Sequence, residues 1–237
     1  MTWGYYSCGG DSSSVSDKLH DVVAISDIYS NDSQERIFNG TDSNDNLTGS
    51  YTSDILWGNG GNDILVAMGG NDLAFGGIGN DLFTGGEGEG DDTYVGGEGV
   101  DRVKYTSALA GITVDLAEGT ACSTDGNNAA AIGSDVLIDI EHVIAGNFND
   151  ILIGNASANS LEGGAGDDWL RGGEGADILD GGIGSDTSDY SEKAVALMVM
   201  LDNAVDATVM VGGVAEDSIR NIENLIGGSG NDTLIAD

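Results

Sequence analysis

The stretch "GNGGNDILVAMGGNDLAFGGIGNDLFTGG", residues 58–86, repeats one pattern every nine residues. An aspartate recurs as Asp63, Asp72 and Asp81, and a glycine cluster precedes each of them. An apolar residue such as Leu65 stands two positions after the aspartate. Glycines and carboxylates contribute little to a hydrophobic core, so their regular spacing indicates a repeating backbone shape.

The nine-residue unit, called a row below, fills two arrays and one isolated copy. The spacers that follow the arrays resemble one another, since "DIEHVIAG" in the first matches "NIENLIGG" in the second. The predicted organisation is an N-terminal cap or tail of a preceding domain (1–39), a first array (40–104), a spacer (105–144), a second array (145–189), a second spacer (190–226) and the start of a further repeat (227–237).

Each row follows the template Gly-Gly-x-Gly-x-Asp-x-Leu-x. Its first six positions can form a tight turn, because glycine adopts backbone angles closed to other residues. The last three positions suffice for a short strand, and the spacer segments "ITVDLA" and "LMVML" also have strand patterns. Two rows then complete a coil of eighteen residues, with position eight inside. The predicted inward residues are Leu47, Leu56, Leu65, Phe83, Val103, Leu152, Leu161, Leu170, Leu179 and Leu234. The sequence therefore predicts an all-β fold, a parallel β-helix or β-roll of two arrays joined by β-rich spacers.

Stacked coils would bring the aspartates into two columns, one on each edge. The columns in the first array begin with Asp45, Asp63 and Asp81 on one edge and with Asp54, Asp72 and Asp92 on the other. Carboxylates at a coil spacing of about 4.8 Å repel one another strongly. A divalent cation between coils removes that repulsion, and calcium accepts six to eight carboxylate and carbonyl oxygens. Magnesium, with its stricter octahedron, suits such turns less well.

The charge of the chain agrees with a need for cations. Its 237 residues include 7 basic and 41 acidic residues, for a formal net charge of -34. Nucleic acid and anionic membranes are poor partners for such a chain. There is no run of eighteen apolar residues, and the start "MTWGYYSCGG" lacks the features of a secretory signal peptide. Cys8 and Cys122 match no metal-ligand spacing; a disulfide between them is open, and two incidental thiols are favoured.

Catalytic motifs are absent from the sequence. No His-Glu-x-x-His or Gly-x-Ser-x-Gly occurs, and His20 and His142 stand alone. Paired carboxylates leave glycosidase chemistry open by motif, but their regular spacing favours metal ligation. Trp57, Tyr94 and Trp169 would stack on sugars if exposed, although their strand positions favour packing. The sequence therefore predicts no catalytic residue.

The rows resemble the repeats-in-toxin (RTX) nonapeptide, a calcium-binding β-helix repeat. Twelve rows keep an acidic sixth position. The resemblance implies a right-handed β-roll in a bacterial protein that is secreted through a type I channel. It also implies that sixth-position carboxylates and turn carbonyls are the calcium ligands. The predicted carboxylate ligands are Asp45, Asp54, Asp63, Asp72, Asp81, Asp92, Asp101, Asp150, Asp168, Asp177, Asp186 and Asp232. The predicted carbonyl ligands are Gly58, Gly60, Gly77, Gly79, Gly164, Gly166, Gly173, Gly175, Gly182 and Gly184. Pairing acidic residues two rows apart predicts about seven or more calcium ions.

Three rows depart from the template. Asn159 replaces the acidic residue, so a site shared with Asp177 should be weaker. One row begins with Ala67 and Met68 in place of two glycines, and Ser188 replaces an inward apolar residue. The substitution at Ser188 is consistent with the second array ending there.

Three functions are compatible with this sequence. The first is a non-enzymatic calcium-binding module that folds after secretion and stabilises or presents a larger extracellular protein. The second is a carbohydrate-binding accessory module of a polysaccharide-modifying enzyme, which the acidic surface disfavours for anionic glycans. The third is a fragment of an adhesin or enzyme whose working domain lies upstream, covalently linked to these repeats.

Overall fold

The structure is a computed structural model that describes residues 36–85, 90–201 and 206–236. These residues form strands and turns. No helix long and apolar enough to cross a membrane occurs among them.

The strands are short and regularly spaced. The first array and its flank contain β1 (Arg36–Asn39), β2 (Asn46–Thr48), β3 (Asp54–Gly60), β4 (Ile64–Val66), β5 (Leu73–Ile78), β6 (Leu82–Thr84), β7 (Thr93–Glu98) and β8 (Arg102–Lys104). The first spacer contains β9 (Ile112–Asp115), β10 (Thr120–Ser123), β11 (Ser134–Ile138) and β12 (His142–Ile144). The second array contains β13 (Ile151–Ile153), β14 (Ser160–Ala165), β15 (Trp169–Arg171), β16 (Ile178–Ile183) and β17 (Thr187–Asp189). The remaining strands are β18 (Leu197–Leu201), β19 (Ala207–Val211), β20 (Val214–Arg220), β21 (Asn224–Ile226) and β22 (Thr233–Ala236).

The described strands form two eleven-stranded sheets, and the strands of the arrays alternate between them. Their orders are β1-β3-β5-β7-β11-β10-β9-β13-β15-β17-β21 and β2-β4-β6-β8-β12-β14-β16-β20-β19-β18-β22. Strands from alternate rows pair in parallel with an offset of eighteen residues, as in Leu47↔Leu65. The eleven-residue row raises this offset to twenty, as in Leu73↔Thr93. The predicted β-roll with a two-row coil is confirmed.

The core is a thin layer between the two sheets. Eight of the ten predicted inward residues are fully buried, from Leu56 to Leu179, and Leu47 packs against them while partly exposed. Ser188 is also fully buried at the equivalent position. The prediction for Leu234 is wrong, because it lies on the edge strand β22 and is 57% exposed. Each coil therefore adds one side chain per sheet to the core.

Glycines at positions two and four of the rows allow the coils to approach closely. Gly77 and Gly79 adopt left-handed φ values of 109° and 135°. A methyl group at Gly79 would overlap the carbonyl oxygen of Gly61 in the preceding coil. Asn59 and Met68 adopt the same left-handed conformation at position two, with φ values of 74° and 80°. Left-handed φ alone is thus tolerated without glycine at position two.

The turns are more regular than the row template suggests. In the first array, β3 and β5 continue from the three-residue strand into the following glycine segment, where Asn59 pairs with Gly77. In the second array the same extension occurs in the other sheet, where Gly164 pairs with Gly182. The glycine segments of successive coils therefore hydrogen-bond as strands, which a three-residue strand model does not include.

The spacers are part of the same two sheets. In the first spacer, β9, β10 and β11 pair antiparallel, and this unit lies between β7 and β13. In the second spacer, β18, β19 and β20 form the corresponding antiparallel unit between β16 and β22 in the opposite sheet. Hydrogen-bonded strands consequently run from the first array through the spacer into the second.

Cys122 lies in strand β10 and is buried. It is disulfide-bonded, which disagrees with its interpretation as an incidental thiol. Cys8 and most of the segment 1–39 lie outside the described residues. Within that segment, β1 pairs with β3 in the eighteen-residue register, so the coil begins before Gly40.

Close coil packing can be tested by comparing two Gly→Ala substitutions. Gly126 has a φ of 68° and no neighbouring atom within 4 Å of an added methyl group, whereas Gly79 combines left-handed φ with a steric overlap. We expect Gly126→Ala to lower the free energy of unfolding by about 1 kcal/mol, from the left-handed conformation alone. Gly79→Ala should cost at least about 2–3 kcal/mol, because the Gly61 carbonyl must also move. Urea unfolding in calcium, followed by circular dichroism, measures both; equal losses would contradict the packing argument.

Candidate metal centre

Two columns of carboxylates follow the two edges of the roll. Except in Asp45 and Asp54, which begin the columns, one oxygen of each carboxylate accepts a hydrogen bond from the backbone of the preceding coil. Asp63 Oδ1 accepts the N–H of Asp45 at 2.8 Å, and the N–H of Asp63 donates to Asp81 Oδ1 at 2.8 Å. The other edge has the same ladder, with Asp54 N–H donating to Asp72 Oδ1 at 2.7 Å. The sixth position thus tethers each coil to the next.

The structure brings the predicted acidic residues together as the sequence model requires. The backbone-to-carboxylate contacts join Asp45–Asp63–Asp81–Asp101 and Asp54–Asp72–Asp92 in the first array, and Asp150–Asp168–Asp186 and Asn159–Asp177 in the second. Asp232 stands at the edge, where its Oδ1 accepts the N–H of Leu197 at 3.0 Å. Most of these aspartates are buried, while Asp45 and Asp232 are half-buried.

The second carboxylate oxygen of many of these residues is buried with no hydrogen-bond donor. The side chains with such an oxygen are Asp54, Asp63, Asp72, Asp81, Asp101, Asp168, Asp177, Asp186 and Asp217. An ionised oxygen that is removed from water and left without a partner is strongly destabilising. A bound cation satisfies several such oxygens at once, so this pattern fits a metal.

Position-one glycines complete the environment of these oxygens. A methyl group at Gly58 would meet both Asp63 Oδ2 and the carbonyl oxygen of Gly76 in the next coil. The same holds at Gly163, where it would meet Asp168 Oδ2 and the Gly181 carbonyl, the latter at 2.7 Å. We call this arrangement, an unpartnered carboxylate oxygen beside a carbonyl of the next coil, a cradle. Cradles supply the carboxylate and carbonyl oxygens that calcium prefers.

The predicted carbonyl ligands occupy three kinds of position. Gly58 stands at position one, and its carbonyl faces Gly40 and Asp45. Gly60 stands at position three. The others are the left-handed glycines at positions two and four, namely Gly77, Gly79, Gly164, Gly166, Gly173, Gly175, Gly182 and Gly184. Where a third coil follows, as above Gly77 and Gly79, their carbonyls approach the backbone of the glycines stacked on them.

Burial shifts the titration of the columns. The pKa of Asp72 is raised to about 8, first by burial and then by the neighbouring Asp92 carboxylate. Burial raises the pKa to about 7 for Asp168 and Asp177 and to about 6 for Asp92, Asp101 and Asp150. The pKa values of Asp63, Asp81, Asp186 and Asp217 are raised for the same reason. Without cations, these columns retain protons close to neutral pH.

Four spacer acids extend the columns and were missed by the sequence analysis. Asp135 follows Asp92, Glu141 follows Asp101, Asp217 follows Asp177 and Glu223 follows Asp186, each accepting a backbone N–H at 2.8–3.0 Å. Each acid stands two residues before an inward or partly buried apolar residue, as Glu141 does before Val143. The acid-x-apolar part of the row template therefore persists where most glycines are lost.

We call two successive acids of a column that are joined by a backbone N–H a rung, and the Asp92–Asp135 rung satisfies its carboxylates with protein groups. Asp92 Oδ2 accepts the hydroxyl of Tyr94 at 2.7 Å, and Asp135 Oδ2 accepts that of Tyr105 at 2.8 Å. All four oxygens of this pair thus accept hydrogen bonds, counting those from the backbone. Tyr94 is fully buried and cannot stack on a sugar.

The ammonium group of Lys193 places a positive charge near Asp177 and Asp217 in the second spacer. Its Nζ donates to the carbonyl oxygen of Gly173 at 2.6 Å and pairs with Glu216 at 2.5 Å. Its charge opposes the rise in the pKa of Asp177 and Asp217. The Gly173 carbonyl, one of the predicted calcium ligands, is therefore already bound to an ammonium group.

The other residues singled out in the sequence also make contacts within the protein. Asn159 is buried; its Oδ1 accepts the N–H of Asn155 and its Nδ2 donates to the Glu141 carbonyl. Trp57 stacks on Phe75 with ring centroids 4.0 Å apart, and the guanidinium of Arg171 lies over Trp169. These rings contact their own neighbours along the sheet.

The ligand atoms of the cradles determine which metal ion they can bind. Within the three described segments, no three His, Cys, Asp or Glu side chains form a metal-ligating group. The cradles instead combine carboxylates of successive coils with backbone carbonyls, an all-oxygen set. Hard cations with many oxygen ligands, calcium above all, fit this set, and zinc with its nitrogen and sulfur ligands does not.

A family model described as the RTX calcium-binding nonapeptide repeat (4 copies) matches the chain in several overlapping segments. They are residues 39–74, 57–89, 66–103, 139–166, 153–187 and 221–237. No curated protein sequence matches the chain significantly. The matched segments cover more than half of the chain and include both arrays with their carboxylate columns. The chain therefore belongs to the family of RTX calcium-binding nonapeptide repeat proteins.

Proposed function

We propose that this chain is a non-catalytic module whose folding is controlled by calcium. The observation that carries the proposal is the series of buried carboxylate oxygens without donors, several of which, such as Asp63 Oδ2 and Asp168 Oδ2, lie beside a backbone carbonyl of the next coil. Calcium bound there links consecutive coils and removes the repulsion within each column. The ligands are the sixth-position aspartates and the turn carbonyls of the two arrays, except the Gly173 carbonyl, which is bound to Lys193.

Calcium has to supply much of the stability because the core is thin. Each coil buries only one inward side chain per sheet, such as Leu161 or Leu170. A site filled at ten times its dissociation constant adds about 1.4 kcal/mol. Several such sites together approach the stability of a typical domain, which is about 5–15 kcal/mol.

The calcium affinity of extracellular modules indicates where the proposed module would fold. Extracellular calcium modules bind with dissociation constants of roughly 10⁻⁴ to 10⁻³ M. A module in this range is unfolded in the cytosol and folds once it reaches the outside of the cell. RTX repeats are typical of bacterial proteins exported by type I secretion. We therefore place this module in a secreted protein, where it stabilises or presents a covalently linked upstream domain.

Far-ultraviolet circular dichroism tests the calcium switch directly. We expect a largely disordered spectrum in chelator and a β-rich spectrum in millimolar calcium, since bound calcium removes the repulsion between the carboxylates of each column. Magnesium at the same ionic strength controls for charge screening and should not induce the fold, because it keeps its waters and its octahedral geometry. A β-rich spectrum that persists in chelator would show that calcium does not control folding.

Shared ligation predicts unequal effects along one column. Asp63 contacts coils on both sides, whereas Asp45 stands near the start of its column and is half-buried. Asp63→Ala should therefore raise the calcium concentration at the folding midpoint more than Asp45→Ala does, by at least several-fold. Asp42→Ala is the control, since Asp42 is an exposed acid of the same row as Asp45. Equal midpoints for the Asp45 and Asp63 variants would exclude ligand sharing between coils.

Proton competition provides a separate test of the columns. Because burial raises the pKa of Asp72 to about 8 and that of Asp168 to about 7, the metal-free fold holds protons that the unfolded chain, with a pKa near 3.8, has lost. The metal-free fold should thus be least stable above pH 8 and gain stability as the pH falls towards 4. Protons should thus partly replace calcium, so the chain in chelator should gain β structure as the pH falls from 8 towards 4.

Circular dichroism in chelator between pH 9 and pH 4.5 measures this effect. We expect a disordered spectrum at pH 9 and a gain of β structure as the pH falls, because protonation of the buried carboxylates removes the repulsion within the columns. A spectrum in chelator that does not change with pH would contradict the raised pKa values of the folded state.

A further inference from the structure

The two array–spacer junctions contain acidic residues outside the nonapeptide rows. Glu141 and Glu223 each follow the last sixth-position aspartate of their column before the spacer takes over, Asp101 and Asp186 respectively. Neither glutamate belongs to a glycine-rich turn. Their surroundings nevertheless repeat those of the row aspartates.

The first junction contains a complete cradle. Asp101 is fully buried, and its Oδ1 accepts the N–H of Asp81 at 2.7 Å while its Oδ2 has no donor. A methyl group at Gly96 would meet Asp101 Oδ2 at 2.5 Å and would overlap the carbonyl oxygen of Asp139. Within the array, a methyl group at Gly76 would likewise meet Asp81 Oδ2 and, at 2.8 Å, the Gly96 carbonyl.

Glu141 completes this arrangement from the spacer side. Its Oε2 accepts the N–H of Asp101 at 2.8 Å, which is the contact that row aspartates make through Oδ1. Asp139, with a left-handed φ of 52°, turns the chain so that its carbonyl takes the place of a position-one glycine carbonyl. The junction thus has two carboxylates and a carbonyl oriented as in the arrays.

The second junction has a similar arrangement. Asp186 is fully buried, and its Oδ2 has no donor. Its N–H donates to Glu223 Oε2 at 2.8 Å. A methyl group at Gly181 would overlap both Asp186 and the carbonyl oxygen of Asn221, which has a φ of 51°. Two independent spacers therefore build the same oxygen cluster with a glutamate.

The other rung of the first spacer shows a different solution. Asp135 and Asp92 have every carboxylate oxygen bonded to a backbone N–H or a tyrosine hydroxyl. At the glutamate junctions, Asp101 and Asp186 keep an unpartnered buried oxygen. Of the two rungs of the first spacer, only the Asp101–Glu141 rung therefore has room in its hydrogen bonding for an added cation.

We propose that Asp101 with Glu141, and Asp186 with Glu223, form two further calcium sites that join each array to its spacer. The carbonyls of Asp139 and Asn221 serve as backbone ligands. This proposal rests on the proposed calcium-binding function and extends it beyond the glycine-rich rows. Calcium then continues the stack past the last row and fixes the spacer strand β12 or β21 on the array.

The test counts calcium bound to the full chain after gel filtration in calcium, by elemental analysis. Glu141→Gln and Glu223→Gln should each lower the count by one, and the double variant should lower it by two. Glutamine keeps an oxygen that can accept the N–H of Asp101 or Asp186, so a purely structural role of the carboxylate is preserved. Glu118→Gln, an exposed spacer glutamate with the same change of charge, should leave the count unchanged.

Three outcomes are distinguishable. A wild-type chain that binds no calcium contradicts the proposed function itself. A wild-type chain that binds calcium, with an unchanged count in both glutamine variants, overturns the junction sites alone. If a variant does not fold, crystals of the wild-type chain grown in calcium decide the question: ions within about 2.3–2.6 Å of Asp101 Oδ2 and Asp186 Oδ2, also bound by the glutamates, support the sites. Ions confined to the rows overturn them.

Discussion

The stacking of like-charged carboxylates along the two edges of the roll is the constraint on which the structure depends. Each coil is tied to the next through a carboxylate oxygen that accepts a backbone N–H, as Asp63 does from Asp45. This contact requires the carboxylates to lie one above another, out of water and at coil spacing. The oxygen that remains, such as Asp63 Oδ2, then has no partner within the protein. The same feature that holds the coils in register thus creates the need for cations.

Glycine content follows from that constraint. Coils at strand spacing place the carbonyl of Gly61 against the α-carbon of Gly79, where a side chain does not fit. At position one, the carbonyl that crowds the glycine, such as that of Gly76 at Gly58, also lies beside a column carboxylate. The forty glycines that result give the unfolded chain a large conformational entropy. This conformational entropy opposes folding.

The spacers show how a roll continues where the glycine rows stop. Each spacer inserts an antiparallel three-stranded unit into one sheet, the first between β7 and β13 and the second between β16 and β22 in the opposite sheet. Within these units, protein groups take over charge compensation: tyrosine hydroxyls bind Asp92 and Asp135, and Lys193 brings an ammonium group near Asp177. Hydrogen bonds and a lysine can therefore replace cations locally, although nine buried carboxylate oxygens across the columns remain without donors.

The sequence by itself determined the coil and the composition of its edges. A period of nine with an apolar eighth position defines an eighteen-residue coil, and the sixth-position aspartates then have to form columns; both are local patterns that need no long-range information. The tertiary structure alone decided how the spacers join. Glu141 lies forty residues from its partner Asp101, and the reversed order of β9, β10 and β11 sets that distance. It also decided that Lys193 reaches Gly173 and that Leu234 lies on an exposed edge. Such contacts depend on antiparallel register and on the ends of the sheets, which a nine-residue period does not encode.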